Sequence, residues 1–282
     1  MKIEHLENHN VVVDNLRFVY PPPKRVEAIK RMNLKFEQGE FVGIIGHNGS
    51  GKSTLSKLIS GFLEPTEGSI TIGGKEVSKI HPRVRPAVVG YVFQNPDHQV
   101  FKESVWTDVE FGLQNLKYSP EDIERITYRT LEKLDLLHVR DLHPFRLGKG
   151  DRQRLAVAGI LVMSPKVLIV DEPTTGQDPE RAREIMRMLT ELNREQKITI
   201  ITVTHAMDLV IEFCRRVIVM GGGDVLLDGS ATEVFSQPEI LARTYVQPPQ
   251  IFRLGLALGF NPLPLKVDDV VQKIIAQLEE AV

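Results

Sequence analysis

The chain has 282 residues, 42% of them hydrophobic, with 35 Lys and Arg against 37 Asp and Glu and a formal net charge of -2. That length suits one large domain, or a domain with an appendage, and the apolar share suffices for a sizeable core. The near-neutral balance gives no electrostatic ground for nucleic-acid binding; a lone cysteine, Cys214, excludes a disulfide framework or thiolate metal cluster; and no apolar run reaches the roughly 18 residues of a membrane span. The N-terminal Met-Lys-Ile-Glu-His is polar and lacks a secretory signal pattern, so the expectation is a soluble chain in a reducing cytoplasm.

In chain order, residues 11–19 alternate Leu16 and Phe18 with Asn15 and Arg17, a strand pattern, and Tyr20 then enters Pro21-Pro22-Pro23, which must leave a sheet. Residues 26–36 predict a second strand. Phe41-Val42-Gly43-Ile44-Ile45 reads as a buried strand; Gly46-His47-Asn48-Gly49-Ser50-Gly51-Lys52-Ser53-Thr54 follows, and then helical spacing through Leu55, Leu58 and Ile59. Strand, glycine loop and helix form the context in which G-x-x-x-x-G-K-[ST] means phosphate binding. Gly46, Gly49 and Gly51 let successive N–H groups turn inward, and the helix N-terminus adds partial positive charge. Lys52 is expected to reach the β- and γ-phosphates and the Ser53 hydroxyl to ligate Mg²⁺.

Residues 68–74 and 88–93 read as strands, and 104–163 as helical, with Ser119-Pro120-Glu121-Asp122 a helix start. The apolar set of the first helical segment is Val105, Val109, Phe111 and Leu113. This stretch, about 104–164, predicts a helical subdomain inserted between strands. Residues 167–170 are a central-strand candidate, 179–192 a helix, 198–203 a strand and 207–213 a helix, an alternation that argues for an α/β core with a parallel sheet. Residues 217–220 and 224–227 predict a hairpin; the intervening Gly221-Gly222-Gly223 reads as its turn rather than a second phosphate loop, because no Lys-Ser/Thr follows. Past residue 247 prolines divide the chain, and Val267, Val270, Val271, Ile274, Ile275 and Leu278 predict an amphipathic helix.

Phosphate binding alone does not hydrolyse anything. The run 167–170 ends in Asp171-Glu172, and an acid at the end of a central strand lies beside the phosphate loop in such sheets. Asp171 is expected to bind Mg²⁺ directly or through water, and Glu172 to polarise the attacking water.

With these residues in place, the chain resembles the ABC-type ATPase subunits over roughly residues 10–235. The resemblance implies further roles. Tyr20 falls where an aromatic stacks on adenine. Gln94 matches the loop glutamine that contacts Mg²⁺ and the attacking water. Thr175-Gly176-Gln177-Asp178-Pro179 matches the D-loop, with Gln177 where leucine is usual, and puts Asp178 among the nucleotide residues. His205 matches the switch histidine on the γ-phosphate. The signature Leu-Ser-Gly-Gly-Gln falls on Leu147-Gly148-Lys149-Gly150-Asp151, fixed in register by Gln153-Arg154. Gly148 removes the serine hydroxyl, leaving the N–H groups around Gly148 and Gly150 and the helix dipole as nucleotide contacts. Either the site of the partner subunit is weakened, or Lys149 supplies a compensating charge.

The stretch Phe93-Gln94-Asn95-Pro96-Asp97-His98-Gln99-Val100-Phe101 resembles the ATPases of energy-coupling factor transporters and related cobalt and nickel importers. That resemblance implies ATP and Mg²⁺ as cofactors, two ATPase subunits, a transmembrane T component, and an S component that captures a vitamin or metal ion out of reach of this chain; the departed signature beside an intact Glu172 points to a heterodimer over a homodimer. It places the protein on the cytoplasmic face of the membrane. The expected architecture is α/β: an ABC-type P-loop NTPase with a mixed sheet core, an antiparallel β subdomain, the helical insertion and a C-terminal extension, divided as 1–246 and 247–282. Other ABC transporter classes, and a soluble ABC ATPase acting on nucleic acid or the ribosome, are the alternatives.

Overall fold

The structure is a computed structural model describing residues 8–23, 25–260 and 267–280, with backbone only at 267 and 277–280. Its strands are β1 (Val11–Val19), β2 (Glu27–Phe36), β3 (Phe41–Ile45), β4 (Glu67–Ile72), β5 (Lys75–Glu76), β6 (Val89–Val92), β7 (Val167–Asp171), β8 (Thr199–Val203), β9 (Arg216–Gly221) and β10 (Asp224–Gly229). Its helices are α1 (Lys52–Ile59), α2 (Val105–Asn115), α3 (Pro120–Lys133), α4 (Lys149–Leu161), α5 (Pro179–Gln196), α6 (Met207–Phe213), α7 (Ala231–Phe235), α8 (Pro238–Ala242), α9 (Gln250–Ala257) and α10 (Val267–Glu280).

Two sheets result. An antiparallel one runs β2-β1-β4-β5, and a six-stranded one runs β10-β9-β3-β8-β7-β6. In the larger sheet β9-β3-β8-β7-β6 are parallel and β10 returns antiparallel to β9. The parallel strands β3, β7 and β8 are buried along their whole length, as continuous apolar runs covered on both faces must be. Strand β3 divides its side chains by pleat: Val42 and Ile44 enter the core shared with the antiparallel sheet and α1, while Phe41 and Ile45 enter the core shared with α2, α4 and α5. The phosphate loop leaves the end of this strand, so both cores fix its origin.

Local chemistry sets the helix starts. Ser104 and Thr107 make a reciprocal capping box on α2, Ser119 accepts from Asp122 N with Pro120 next to it on α3, and Asp178 accepts from the N–H groups of Glu180 and Arg181 on α5. Gly90 in β6 lets α4 approach, because a Cβ there would overlap Ile160. Phe111, expected in the apolar set of α2, instead stands half-buried, edge-on to Phe101 at 5.0 Å, with Lys102 Nζ 4.4 Å above its ring.

Beyond residue 247 the chain still contributes to the main core: Phe252 is fully buried and lies 5.4 Å from the Phe235 ring. On α10 Val270 is buried and Ile274 half-buried, but Val271 and Ile275 are 46% and 43% exposed. The apolar stripe expected there is therefore only partly covered; the side chains of Val267 and Leu278 lie outside the described residues. Among the described residues no helix is long and apolar enough to cross a membrane.

Candidate nucleotide site

A cleft of about 610 Å³ opens where the two sheets meet. Its phosphate side is the loop between β3 and α1. Gly46, Gly49 and Gly51 have φ of +147°, +85° and +105°; a Cβ at Gly46 would overlap Met220 O and one at Gly51 would crowd Ala28 O, while the space around Gly49 is open. Only glycine meets both demands at Gly46 and Gly51. Helix α1 begins at Gly51 without a side-chain cap, so its first N–H groups remain available to an anion. Lys52, 6% exposed, donates to Gly46 O at 2.8 Å and His47 O at 3.0 Å. Burial holds its ammonium below the usual lysine range, against the raising effect of Glu172 and Asp171. The Ser50 hydroxyl is buried without a partner in the same loop.

The opposite wall comes from the ends of β7 and β8. Asp171, 9% exposed, accepts from the Tyr91 hydroxyl at 2.7 Å. Burial first, then the Asp171 charge, push that hydroxyl far above the ordinary phenol range, so it stays a donor. Glu172 has φ +49° and donates its N–H to Val203 O at 2.8 Å. Its carboxylate accepts from Thr175 at 3.1 Å and lies 3.3 Å from His205 Nε2. Burial raises its pKa, while His205 and Thr175 pull it down. A further wall is built by Tyr20, Val26, Glu27 and Ala28; the Tyr20 hydroxyl reaches Thr54 Oγ1 at 3.1 Å.

Tyr20, Asn48, Gly49, Gly51, Lys52, Ser53, Thr54, Gln94, Asp171, Glu172 and His205 thus line one cavity. Gly46, His47, Ser50, Gly148, Gly150 and Asp178 do not line it. Gly148 precedes α4 with φ -62° and open space at its Cβ position, and Lys149 turns toward Gly176, where a Cβ would overlap its Nζ. The sequence reading missed Tyr91, whose signal was a lone phenol in an aliphatic strand: a buried hydroxyl needs a partner. It also missed that the turn glycines Gly222 and Gly223 wall the cleft, with Gly223 N donating to Ser50 O at 3.1 Å.

The oxygen donors Ser53, Gln94 and Asp171, with no Cys and one carboxylate among them, fit a hard cation completed by phosphate oxygens and water. Among the described residues no cluster of His, Cys, Asp and Glu could hold a metal by itself. Cys214 is buried with its thiol pushed up to about 12, so it offers no thiolate.

The model of the ABC transporter family matches residues 29–175. An ABC transporter ATP-binding protein of Methanosarcina mazei is 45% identical over 238 residues, 83% of this chain; the chain spans only 40% of that relative's length. The energy-coupling factor transporter ATP-binding protein EcfA2 of Acetivibrio thermocellus is 38% identical over 274 residues, 96% of either chain. The solved structure of cbiO1 from Clostridium perfringens, part of the ABC transporter complex cbiONQ, superposes with TM-score 0.75 at 36% identity, covering 90% of this chain and 100% of that one. The chain therefore belongs to the nucleotide-binding ABC transporter family and stands within it among the energy-coupling factor ATPases.

Proposed function

We propose that this chain binds and hydrolyses ATP with Mg²⁺ as one of two ATPase subunits of an energy-coupling factor importer. The observation that carries the reading is the convergence of Lys52, Ser53, Gln94, Asp171, Glu172 and His205 on one cleft. Lys52 would leave the carbonyls of Gly46 and His47 for the phosphates, and the free N–H groups at the start of α1 would hold them. Magnesium, held by Ser53, Asp171 and Gln94, would neutralise charge on the transferring phosphoryl group. Glu172 would orient and accept a proton from the attacking water, and His205 would bond the γ-phosphate while steadying the Glu172 carboxylate.

The cleft is half a site in this reading, because Gly148, Gly150 and Asp178 do not line it. In this reading they serve the nucleotide of a second ATPase subunit, and the departed signature Leu147-Asp151 favours an unequal pair. The membrane partner, a T component, would dock on the 94–101 segment, where Phe101 is 61% exposed and Lys102 caps Phe101 and Phe111. An S component would capture the transported vitamin or metal ion without touching this chain, which would sit at the cytoplasmic membrane face. Residues 1–246 would form the nucleotide-binding unit and 247–282 an extension that contributes to pairing.

The test is Glu172→Gln in the assembled complex. Turnover is expected to fall by about 100-fold or more, with ATP retained in a closed pair by size-exclusion and nucleotide analysis. Wild-type turnover in that variant would remove Glu172 from the catalytic role.

A further inference from the structure

We propose that Tyr91 is a positioning residue for the divalent-cation site: its hydroxyl occupies one oxygen of Asp171 and so presents the other to the cleft. The inference rests on reading the cleft as a Mg²⁺–nucleotide site. Tyr91 stands in β6, next to β7, with Tyr91 paired to Ile169 in the parallel register. From there its hydroxyl reaches Asp171 Oδ2 at 2.7 Å, and both residues are nearly buried, at 4% and 9% exposure. A carboxylate with two equivalent oxygens can rotate about its last bond; a donor on Oδ2 removes that freedom. A partner hydrogen bond of this kind orients a metal-binding carboxylate and raises the affinity it confers.

The donor itself is held. The Tyr91 ring lies 5.0 Å from Phe93 and 5.4 Å from Phe62, and Phe62 stacks on Phe93 at 5.8 Å and 26°. This aromatic cluster fixes the direction of the phenol oxygen by packing alone. Phe93 also adjoins Gln94 in sequence, so the packing that aims Tyr91 at Asp171 continues into the backbone that carries Gln94 to the cleft. Two of the cleft's oxygen donors would therefore be placed through one ring.

The experiment uses the full chain and Mn²⁺ as the probe, with binding followed by electron paramagnetic resonance in the presence of a non-hydrolysable ATP analogue. Nucleotide affinity in EDTA is measured in parallel. Tyr91→Phe, which removes the hydroxyl and keeps the ring, and Tyr91→Met, which removes both, are each expected to weaken Mn²⁺ binding by about tenfold or more, with affinity for the analogue in EDTA unchanged. Unchanged Mn²⁺ affinity in Tyr91→Phe would overturn the proposal and leave the nucleotide reading intact. A loss confined to Tyr91→Met, or an equal loss of metal-free nucleotide binding, would overturn it in favour of ring packing. Absence of nucleotide-dependent Mn²⁺ binding in the wild-type chain would overturn the cleft reading and this proposal with it.

Discussion

Glu172 occupies a left-handed backbone conformation, φ +49°, which costs a non-glycine residue on the order of 1–3 kcal/mol. Its N–H bond to Val203 O and its contacts with Thr175 and His205 hold it there. Such tension at a cleft carboxylate is consistent with the role proposed for it. A second buried acid has a purely structural part. Asp108 accepts from the N–H groups of Phe101 and Lys102, both at 3.0 Å, and so shapes the loop that precedes α2. Burial raises its pKa, against the lowering by those two N–H bonds and Lys102. The sign follows: the fold prefers the protonated acid, so Asp108's contribution is greatest below the ordinary carboxylate range and declines as pH rises through the raised value. Asp108→Asn keeps an oxygen for both N–H groups and removes the titration. Urea midpoints measured between mildly acidic and neutral pH should lose that part of their pH slope, with stability at neutral pH equal to or above wild type. At this scale Lys52, Ser53, Asp171 and Glu172 were legible in the sequence because each sits at a fixed offset from an apolar strand. Tyr91 was not, because its bond to Asp171 spans 80 positions and depends on which strands are neighbours.

Helix α4 and the 94–101 segment behave as one element. Gln99 accepts from Phe93 N at 3.3 Å and donates to Ala156 O at 2.6 Å, and Arg152 pairs with Asp97 at 2.7 Å while donating to Leu147 O at 2.8 Å. The segment proposed to contact the membrane partner is thus tied, through two side chains, to the helix that begins at the altered signature. Gln99→Leu removes both bonds at a half-buried position and should cost about 1 kcal/mol of stability, read as a shift in urea midpoint. It should also uncouple ATP turnover from the membrane partner in the assembled complex; retention of partner-stimulated turnover would show that the tie is not used. The strands and most helices were legible because their apolar periods and caps are local. The turn at Gly221-Gly222-Gly223 was read correctly as a hairpin, but its place in the cleft wall was hidden, since it follows from β9 lying beside β3.

Across the whole molecule, two cores meet at β3, and the nucleotide cleft lies at their junction. The C-terminal region divides in the same spirit. Phe252 belongs to the core, whereas α10 is held by Val270 and by Lys273 over the Phe260 ring at 5.5 Å. Leu254, Leu256 and Leu258 stay 38–46% exposed beside the uncovered Val271 and Ile275. Truncation before residue 247 would remove Phe252 from the core and should destabilise the fold by about 3 kcal/mol or more. Truncation before residue 267 should leave the melting temperature and nucleotide binding near wild type while weakening association of the two ATPase subunits, measured by sedimentation. The sequence showed an apolar stripe on this helix; how much of it the chain covers itself depends on how α10 packs against the rest of the chain, which no local pattern records.

The absence of Gly148, Gly150 and Asp178 from the cleft wall has a kinetic meaning. On the proposed reading, a chain that holds the water-orienting carboxylate but offers its signature to a partner would not complete a turnover by itself. Its specific activity should therefore be low alone, climb as the second ATPase subunit is added, and level off once pairs form. Adding a catalytically dead chain, Glu172→Gln, should lower the rate by competition, because that chain occupies second subunits without turning over at its own site. Under this arrangement activity is a property of an encounter, and the dose of the second subunit sets the speed of the first.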